Sequence, residues 1–315
     1  MIEVKNLYKF YHMPRKKFFS KETSIKAVNG VSFTLREGET FGLVGESGSG
    51  KSTTGEIIVQ LIKQTSGQVL YKGKDVSKFS ASKLKTWRRK VQIVFQDPYA
   101  SLNPKKTVQW ILREPLMIHK MGNRREQDKR IIDMLHDVGL DESFLKRYPH
   151  ELSGGQRQRV VIAAALILQP EFVVIDEGVS ALDVSVQAQI LNLLKALQKK
   201  YRLTYLFISH DLNVVQYFCD RIAVMYLGEM VEMGTVSDLD EPKHPYTKAL
   251  FSSIPTREVN TSETVLSGEV PSASAIPEGC PFHTRCPFVQ ERCKHEKPVK
   301  HELTTEHTVR CHLYD

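Results

Sequence analysis

At 315 residues, with 25% charged and 41% hydrophobic side chains, the chain has the composition of an ordinary folded protein, long enough for one large domain with an appendage or for two domains. Its formal charge of +8, from 44 basic and 36 acidic residues, suits an anionic partner (nucleotide, nucleic acid or a membrane face), though so mild a balance is equally that of a solvated surface. The longest strongly apolar run, residues 160–168, is about half of what a membrane span needs, and residues 1–10 alternate without an apolar core, so neither a span nor a secretory signal is expected.

In chain order, the alternating start runs into Tyr11. A basic segment, 12–26 (HMPRKKFFSKETSIK), reads as a solvated loop ahead of a strand at 27–35. An apolar run at 41–44 predicts a buried strand, and an amphipathic segment follows from Lys51, with Ile57, Ile58, Leu61 and Ile62 on its apolar side. Between them, Gly45-Glu46-Ser47-Gly48-Ser49-Gly50-Lys51-Ser52 fits G-x-x-x-x-G-K-S/T in the strand–loop–helix setting the motif requires. Glycines let backbone N–H groups curl around phosphate oxygens, and the helix N-terminus adds partial positive charge. Lys51 is expected to reach the β and γ phosphates, and Ser52, followed by Thr53, to bring a hydroxyl to Mg²⁺. Chance produces the pattern in roughly one chain in a hundred of this size, and the correct flanks lower that further.

Farther on come Gln96 in VFQDP and two amphipathic candidates at 107–118 and 124–139. Leu152-Ser153-Gly154-Gly155-Gln156 then opens a helix-like stretch and repeats the phosphate-binding device: a serine, two glycines and a free helix N-terminus. One ATP does not need two cradles from one chain, so this one is expected to close over an ATP held by another subunit. An apolar strand at 172–175 ends in Asp176 and Glu177. Beside a phosphate loop, the first is placed to hold Mg²⁺ through water and the second to orient and polarise the attacking water; without that loop they would read as surface acids.

With these residues in view, the sequence resembles the ABC-type ATPases, of which LSGGQ is the signature. The resemblance covers about residues 1–255 and implies an α/β fold: a RecA-like P-loop core with an antiparallel β subdomain and an α-helical subdomain at about 97–165. It makes Gln96 the Q-loop residue near Mg²⁺ and the γ-phosphate, Asp183 in SALD the D-loop residue, and His210 in YLFISHD the switch histidine. It gives Tyr11 adenine stacking, with Tyr8 and Phe10 close by. It also implies a head-to-tail dimer, each ATP lying between one subunit's residues 45–53 and the other's Ser153, Gly154, Gly155 and Gln156. Closure would be passed from Gln96 through the helical subdomain to a membrane partner. Two positions depart from the family pattern. Gly178 follows Glu177 where proline is usual, freeing φ and implying slower hydrolysis. Ala164 stands where arginine is common, for which a small stability change is expected.

One set of motifs, without sustained heptads or spans, points to a separately encoded transporter ATPase. VFQDPYASLNP, SALDVSVQAQILNLL, MYLGEMVEMG, HPYTKALFSSIP and GCPFHTRCP resemble the oligopeptide and dipeptide importers, and Tyr99 in QDPYASLNP the second ATPase of their pair (the OppF/DppF type). Implied partners are a related second ATPase, two transmembrane permease subunits and, indirectly, an extracytoplasmic substrate-binding protein, with this chain peripheral on the cytoplasmic face. Nickel and other metallophore importers share much of the pattern. A nucleic-acid-handling ABC ATPase, favoured only by net charge, lacks an aromatic–basic platform or helix-turn-helix. A regulatory ABC protein that holds ATP without turnover draws slight support from Gly178.

Residues 256–279, rich in Ser, Thr, Glu and Pro, read as a linker-like wrap. Four of the five cysteines follow, Cys280, Cys286, Cys293 and Cys311, spaced C-x5-C-x6-C-x17-C, while Cys219 stands alone. A small Cys-rich extension over 256–315 cannot bury its own core and needs a staple. Without an export signal disulfides are disfavoured. Zinc fits the donors, with His283, His295, His301, His307 and His312 as further ligands, and so does an iron–sulfur cluster. Resemblance to the importer ATPases favours a 4Fe–4S cluster; four free thiols are the bland alternative.

Overall fold

The computed structural model describes residues 1–12, 24–178, 182–252 and 268–315. Its strands are β1 (Ile2–His12), β2 (Ser24–Leu35), β3 (Thr40–Val44), β4 (Ser66–Tyr71), β5 (Lys74–Asp75), β6 (Val91–Val94), β7 (Phe172–Asp176), β8 (Thr204–Ile208), β9 (Arg221–Tyr226), β10 (Glu229–Thr235), β11 (His301–Glu302) and β12 (Thr308–Val309). Its helices are α1 (Lys51–Ile58), α2 (Ala81–Lys90), α3 (Pro98–Ser101), α4 (Val108–Ile118), α5 (Arg124–Asp137), α6 (Gly154–Leu166), α7 (Val184–Tyr201), α8 (Leu212–Phe218) and α9 (Pro245–Ser252). Among the described residues no helix is long and apolar enough to cross a membrane.

The chain divides into two units. The first comprises Met1–Leu35, Thr40–Ser77 and Ile208–Asp315. Here β2, β1, β4 and β5 form an antiparallel sheet in that order. Alternate side chains (Ile2, Val4, Val31, Phe33, Leu35) go inward, the period of two expected of a half-buried sheet. β3 pairs parallel with β9, from Phe41↔Arg221 to Val44↔Val224, and β10, β12 and β11 follow antiparallel. Every residue of β3 and β9 is buried, and after Thr40 and Arg221 at their starts these strands read as apolar runs.

The second unit comprises Arg36–Glu39 and Lys78–Phe207. β6 pairs parallel with β7, from Val91↔Phe172 to Val94↔Ile175, with β8 next in order. Its helices are amphipathic at helical spacing: Ile131, Met134 and Leu135 of α5 and Ile190, Leu191, Leu194 and Leu197 of α7 are buried. Caps set their starts. The side chains of Thr107, Asn123, Ser153 and Asp183 each accept a hydrogen bond from a first-turn N–H.

Two local expectations need correction. β2 starts at Ser24, because β1 runs to His12 and offers Ser24 a partner, so the expected loop loses 24–26 to the sheet and 13–23 lie outside the described residues. α1 ends at Ile58; Gln60 then takes a left-handed φ of 60° and Leu61, expected on the buried face, is 52% exposed.

Candidate active site

In the first unit the phosphate loop is shaped by two glycines that tolerate no side chain. Gly45 has φ 147°, and a Cβ there would lie 2.2 Å from the Met225 carbonyl oxygen; Gly50 has φ 101°, and its Cβ would lie 2.1 Å from that of Ala27. Lys51 Nζ, buried, donates to the carbonyl oxygens of Gly45 (2.8 Å) and Glu46 (2.9 Å) and to Ser49 Oγ (3.4 Å), bracing the cradle from inside. α1 opens at left-handed Gly50 without a side-chain cap or an acid in its first turn, so its N-terminal N–H groups suit an anion. Ser52 is exposed on that turn and Thr53 half-buried. Tyr11, 39% exposed near the end of β1, carries Lys9 Nζ 4.8 Å from its ring centroid. Exposed His210 follows Ser209, whose N–H donates to the Leu43 carbonyl oxygen (3.3 Å).

Glu46 differs from the other loop residues. Its N–H donates to Tyr246 Oη (2.9 Å), its carbonyl oxygen accepts from Lys51, and its carboxylate receives both terminal nitrogens of Arg285, at 2.8 and 3.1 Å. Each of these groups is engaged by protein, so Glu46 holds the loop in place.

In the second unit, β7 delivers Asp176 buried at its end. Glu177 takes φ 49°, a left-handed conformation that costs a non-glycine residue on the order of 1 kcal/mol. There its Oε2 accepts a hydrogen bond from Gln96 Nε2 at 2.7 Å, so two residues 81 apart in sequence are brought together. Gly178 is closely packed: a Cβ would lie 3.1 Å from Ile175 Cγ2 and 3.2 Å from Val94 Cγ1. Ser153 and Gln156 form a reciprocal capping box at the start of α6. Gly155 faces α7, where a Cβ would stand 2.7 Å from Val186 Cγ1. Buried Arg157 donates to the carbonyl oxygens of Pro149 (3.0 Å) and Leu152 (2.8 Å) and stacks 3.4 Å from the Tyr99 ring centroid, which ties the QDPY segment to the signature loop. Asp183 Oδ1 accepts from the Val186 N–H (3.0 Å) and the Ser185 hydroxyl (2.8 Å), and these bonds, the backbone one first, hold its carboxyl below the usual range. Ser180 and Ala181 of SALD lie outside the described residues.

Two family models match this sequence: ABC transporter over residues 28–180, and oligopeptide/dipeptide transporter, C-terminal region, over residues 231–293. It is 51% identical to the oligopeptide transport ATP-binding protein AppF of Bacillus subtilis, covering 100% of this chain and 97% of that one. The chain belongs to the ABC transporter ATPase family. A putative peptide import ATP-binding protein of Brucella ovis is 45% identical over 99% of this chain and 97% of its own length. Among solved structures, the ATP-binding cassette MJ0796, dimeric in a post-hydrolysis state with ADP and Pi, matches with a TM-score of 0.66 at 33% identity, covering 75% of this chain and 99% of that one. As a member of this family the chain is an ATPase whose cofactors are ATP and Mg²⁺.

The cysteine-rich segment belongs to the first unit and docks on its sheet. β12 pairs with β10 (Glu232↔Val309, Met233↔Thr308), and the Arg310 N–H donates to the Val231 carbonyl oxygen (2.8 Å). The buried Glu232 carboxylate lies 2.7 Å from His307 Nε2 and accepts the N–H groups of Lys243 (2.8 Å) and His244 (2.9 Å). Phe282 packs against Tyr226, Tyr246 and His244, with ring centroids 5.3, 5.4 and 5.7 Å away. Docking therefore supplies much of the staple that so small a segment needs. Cys280, Cys286, Cys293 and Cys311 nonetheless line one pocket, with Phe282, Phe288 and Leu313 among its walls. Burial pushes the Cys280 thiol up to about 12, and raises Cys286 and Cys311, with neighbouring thiols adding to each shift. The histidines named as further ligands have other partners: His283 the Cys280 carbonyl oxygen, His301 and His312 Asp315, His307 Glu232, His295 Glu291. Arg285, Tyr246 and Glu232 lie in stretches that carried the importer resemblance, but no site role was expected of them, since each acts through a partner far along the chain.

Proposed function

We propose that this chain is one of two distinct ATPases powering an oligopeptide or dipeptide importer, peripheral on the cytoplasmic face and joined to two permease subunits fed by an extracytoplasmic substrate-binding protein. The carrying observation is the likeness to AppF along both whole chains, together with the match of residues 231–293 to the peptide-transporter C-terminal region. In this reading residues 45–53 hold the triphosphate, with Lys51 on the β and γ phosphates and Ser52, Asp176 and Gln96 around Mg²⁺. Glu177 polarises the attacking water, His210 meets the γ-phosphate, Tyr11 stacks on adenine, and the partner's ATP is closed by Ser153, Gly154, Gly155, Gln156 and Asp183. The Gln96–Glu177 bond supports placing the general base and the γ-phosphate sensor together.

In the same reading the cysteine pocket takes an iron–sulfur cluster, the preference coming from the resemblance to the peptide-importer ATPases, with zinc as the alternative. Among the described residues no three His, Cys, Asp or Glu are grouped to hold a metal ion, so this part of the reading rests on the resemblance and on four cysteines lining one pocket. Burial disfavours the anions of Cys280, Cys286 and Cys311, so as thiolates these donors would call for a compensating cation. Bound there, the cluster would cross-link residues 280–293 to Cys311.

The test reconstitutes the chain with its cognate ATPase, permeases and binding protein in proteoliposomes. Peptide uptake with turnover, lost in Glu177→Gln with ATP binding retained, is expected. Nickel-chelate uptake without peptide uptake, or nucleic-acid-stimulated turnover without permease association, would overturn the reading. Iron and sulfide assays after anaerobic purification, with a broad visible absorption lost in Cys286→Ser, test the cluster; zinc without sulfide refutes it.

A further inference from the structure

The ion pair between Glu46 and Arg285 joins the second residue of the phosphate loop to a side chain lying between Cys280 and Cys286, 239 residues later. It is bidentate, and the arginine is nearly enclosed, its side chain 6% exposed against 25% for the glutamate. Among the described residues, Arg285 has beyond Glu46 a long contact to Tyr226 Oη (3.5 Å), with the Tyr226 ring centroid 5.9 Å from its Cζ, and its Nε makes no hydrogen bond there. A guanidinium withdrawn from water and set against one carboxylate is held there by that carboxylate. The same interaction raises its already high pKa further, so its charge is fixed.

The chemistry of the loop explains why this pairing matters. A cradle for three phosphates is a poor place for a carboxylate: an unpaired Glu46 would oppose the incoming charge and could swing toward it. Arg285 both neutralises that charge and, through its planar fork, fixes the direction of the side chain. The Tyr246 hydroxyl fixes the backbone at the same residue, and Tyr246 packs on Tyr226 and Phe282 (4.7 and 5.4 Å between centroids), the platform that seats the cysteine-bearing segment. The docked segment thus reaches the Glu46 side chain directly, through Arg285, and the Glu46 N–H indirectly, through Tyr246 of α9 on which Phe282 packs.

We infer that Arg285 is a positioning residue for the phosphate loop: by pairing with Glu46 it neutralises and aims that carboxylate, so that seating of the C-terminal segment sets the affinity for MgATP.

The test titrates the purified full-length chain with a fluorescent MgATP analogue at low and high salt. Arg285→Gln is expected to weaken binding about tenfold at low salt, and Arg285→Lys, which keeps the charge and loses the fork, about threefold. The deficit should shrink at high salt, as a packing defect would not. Adding Glu46→Gln to Arg285→Gln should recover most of the lost affinity by removing the exposed charge. Affinities of both single variants within about twofold of wild type, or a deficit that persists in the double variant, would overturn the proposal. If Arg285→Gln fails to fold, Arg285→Lys decides: a deficit of about threefold that adding Glu46→Gln removes supports the assignment, and no deficit, or one that persists in that double variant, refutes it.

Discussion

Truncating Phe282 to alanine isolates the docking of the C-terminal segment from the nucleotide site. The ring is 1% exposed and makes an edge-to-face contact with Tyr226 at an interplanar angle of 90°, with tilted contacts to Tyr246 and His244. Buried Phe→Ala changes cost about 3–5 kcal/mol, and three aromatic neighbours place this site toward the upper end. The described segment 268–315 has little else of that kind, since its strands are two residues long and Phe288, Val289, Val299 and Leu313 are exposed. The loss should therefore be local. Amide hydrogen exchange is expected to show residues 280–314 losing protection by a few kcal/mol while β7 and α7 stay within about 0.5 kcal/mol of wild type. Phe288→Ala, at an exposed position, should change protection by no more than about 0.5 kcal/mol and serves as the control. Unchanged protection across the segment, or uniform loss throughout the chain, would refute the claim that one buried ring seats it.

Gly50→Ala places a Cβ against the Ala27 carbonyl oxygen at φ 101° and should abolish ATP-analogue binding while far-ultraviolet circular dichroism remains that of the folded protein. Gly155→Ala pushes α6 off Val186 and should lower stability by about 1–3 kcal/mol in urea denaturation, with the MgATP affinity of the isolated chain retained. Burial lowers His244 to about 3, and its Nδ1 accepts the Tyr246 N–H (3.0 Å), so the folded protein holds it neutral. A base with a depressed folded pKa contributes fully above its unfolded value near 6.5, and that contribution falls by about 1.4 kcal/mol per pH unit as pH drops from there toward 3. Denaturation midpoints from pH 6.5 to 4.5 should show this slope in wild type and lose it in a folded His244→Asn form.

What could be read directly from the sequence was what chemistry compresses into a few neighbouring residues. A phosphate cradle is built from successive N–H groups, so its glycines, Lys51 and Ser52 must be contiguous, and Gly45 and Gly50 have the positive φ and close backbone approach the motif demands. The serine and glutamine of LSGGQ were singled out as a second phosphate cradle; the capping box they form was not foreseen, though it too is a local device. Side chains that meet across the fold left no such trace. Nothing near Arg285 foretells Glu46, and nothing near Gly155 foretells Val186, because those distances are set by how sheet and helices pack. The cysteine spacing pointed to convergent thiols, and four of them do share one pocket. It gave no sign that the intervening residues, PFHTR, carry the ring that seats the segment and the arginine that grips the phosphate loop. Placing both between two pocket cysteines gives any change in that pocket a short covalent route to Arg285 and, through its ion pair, to Glu46, five residues from Lys51.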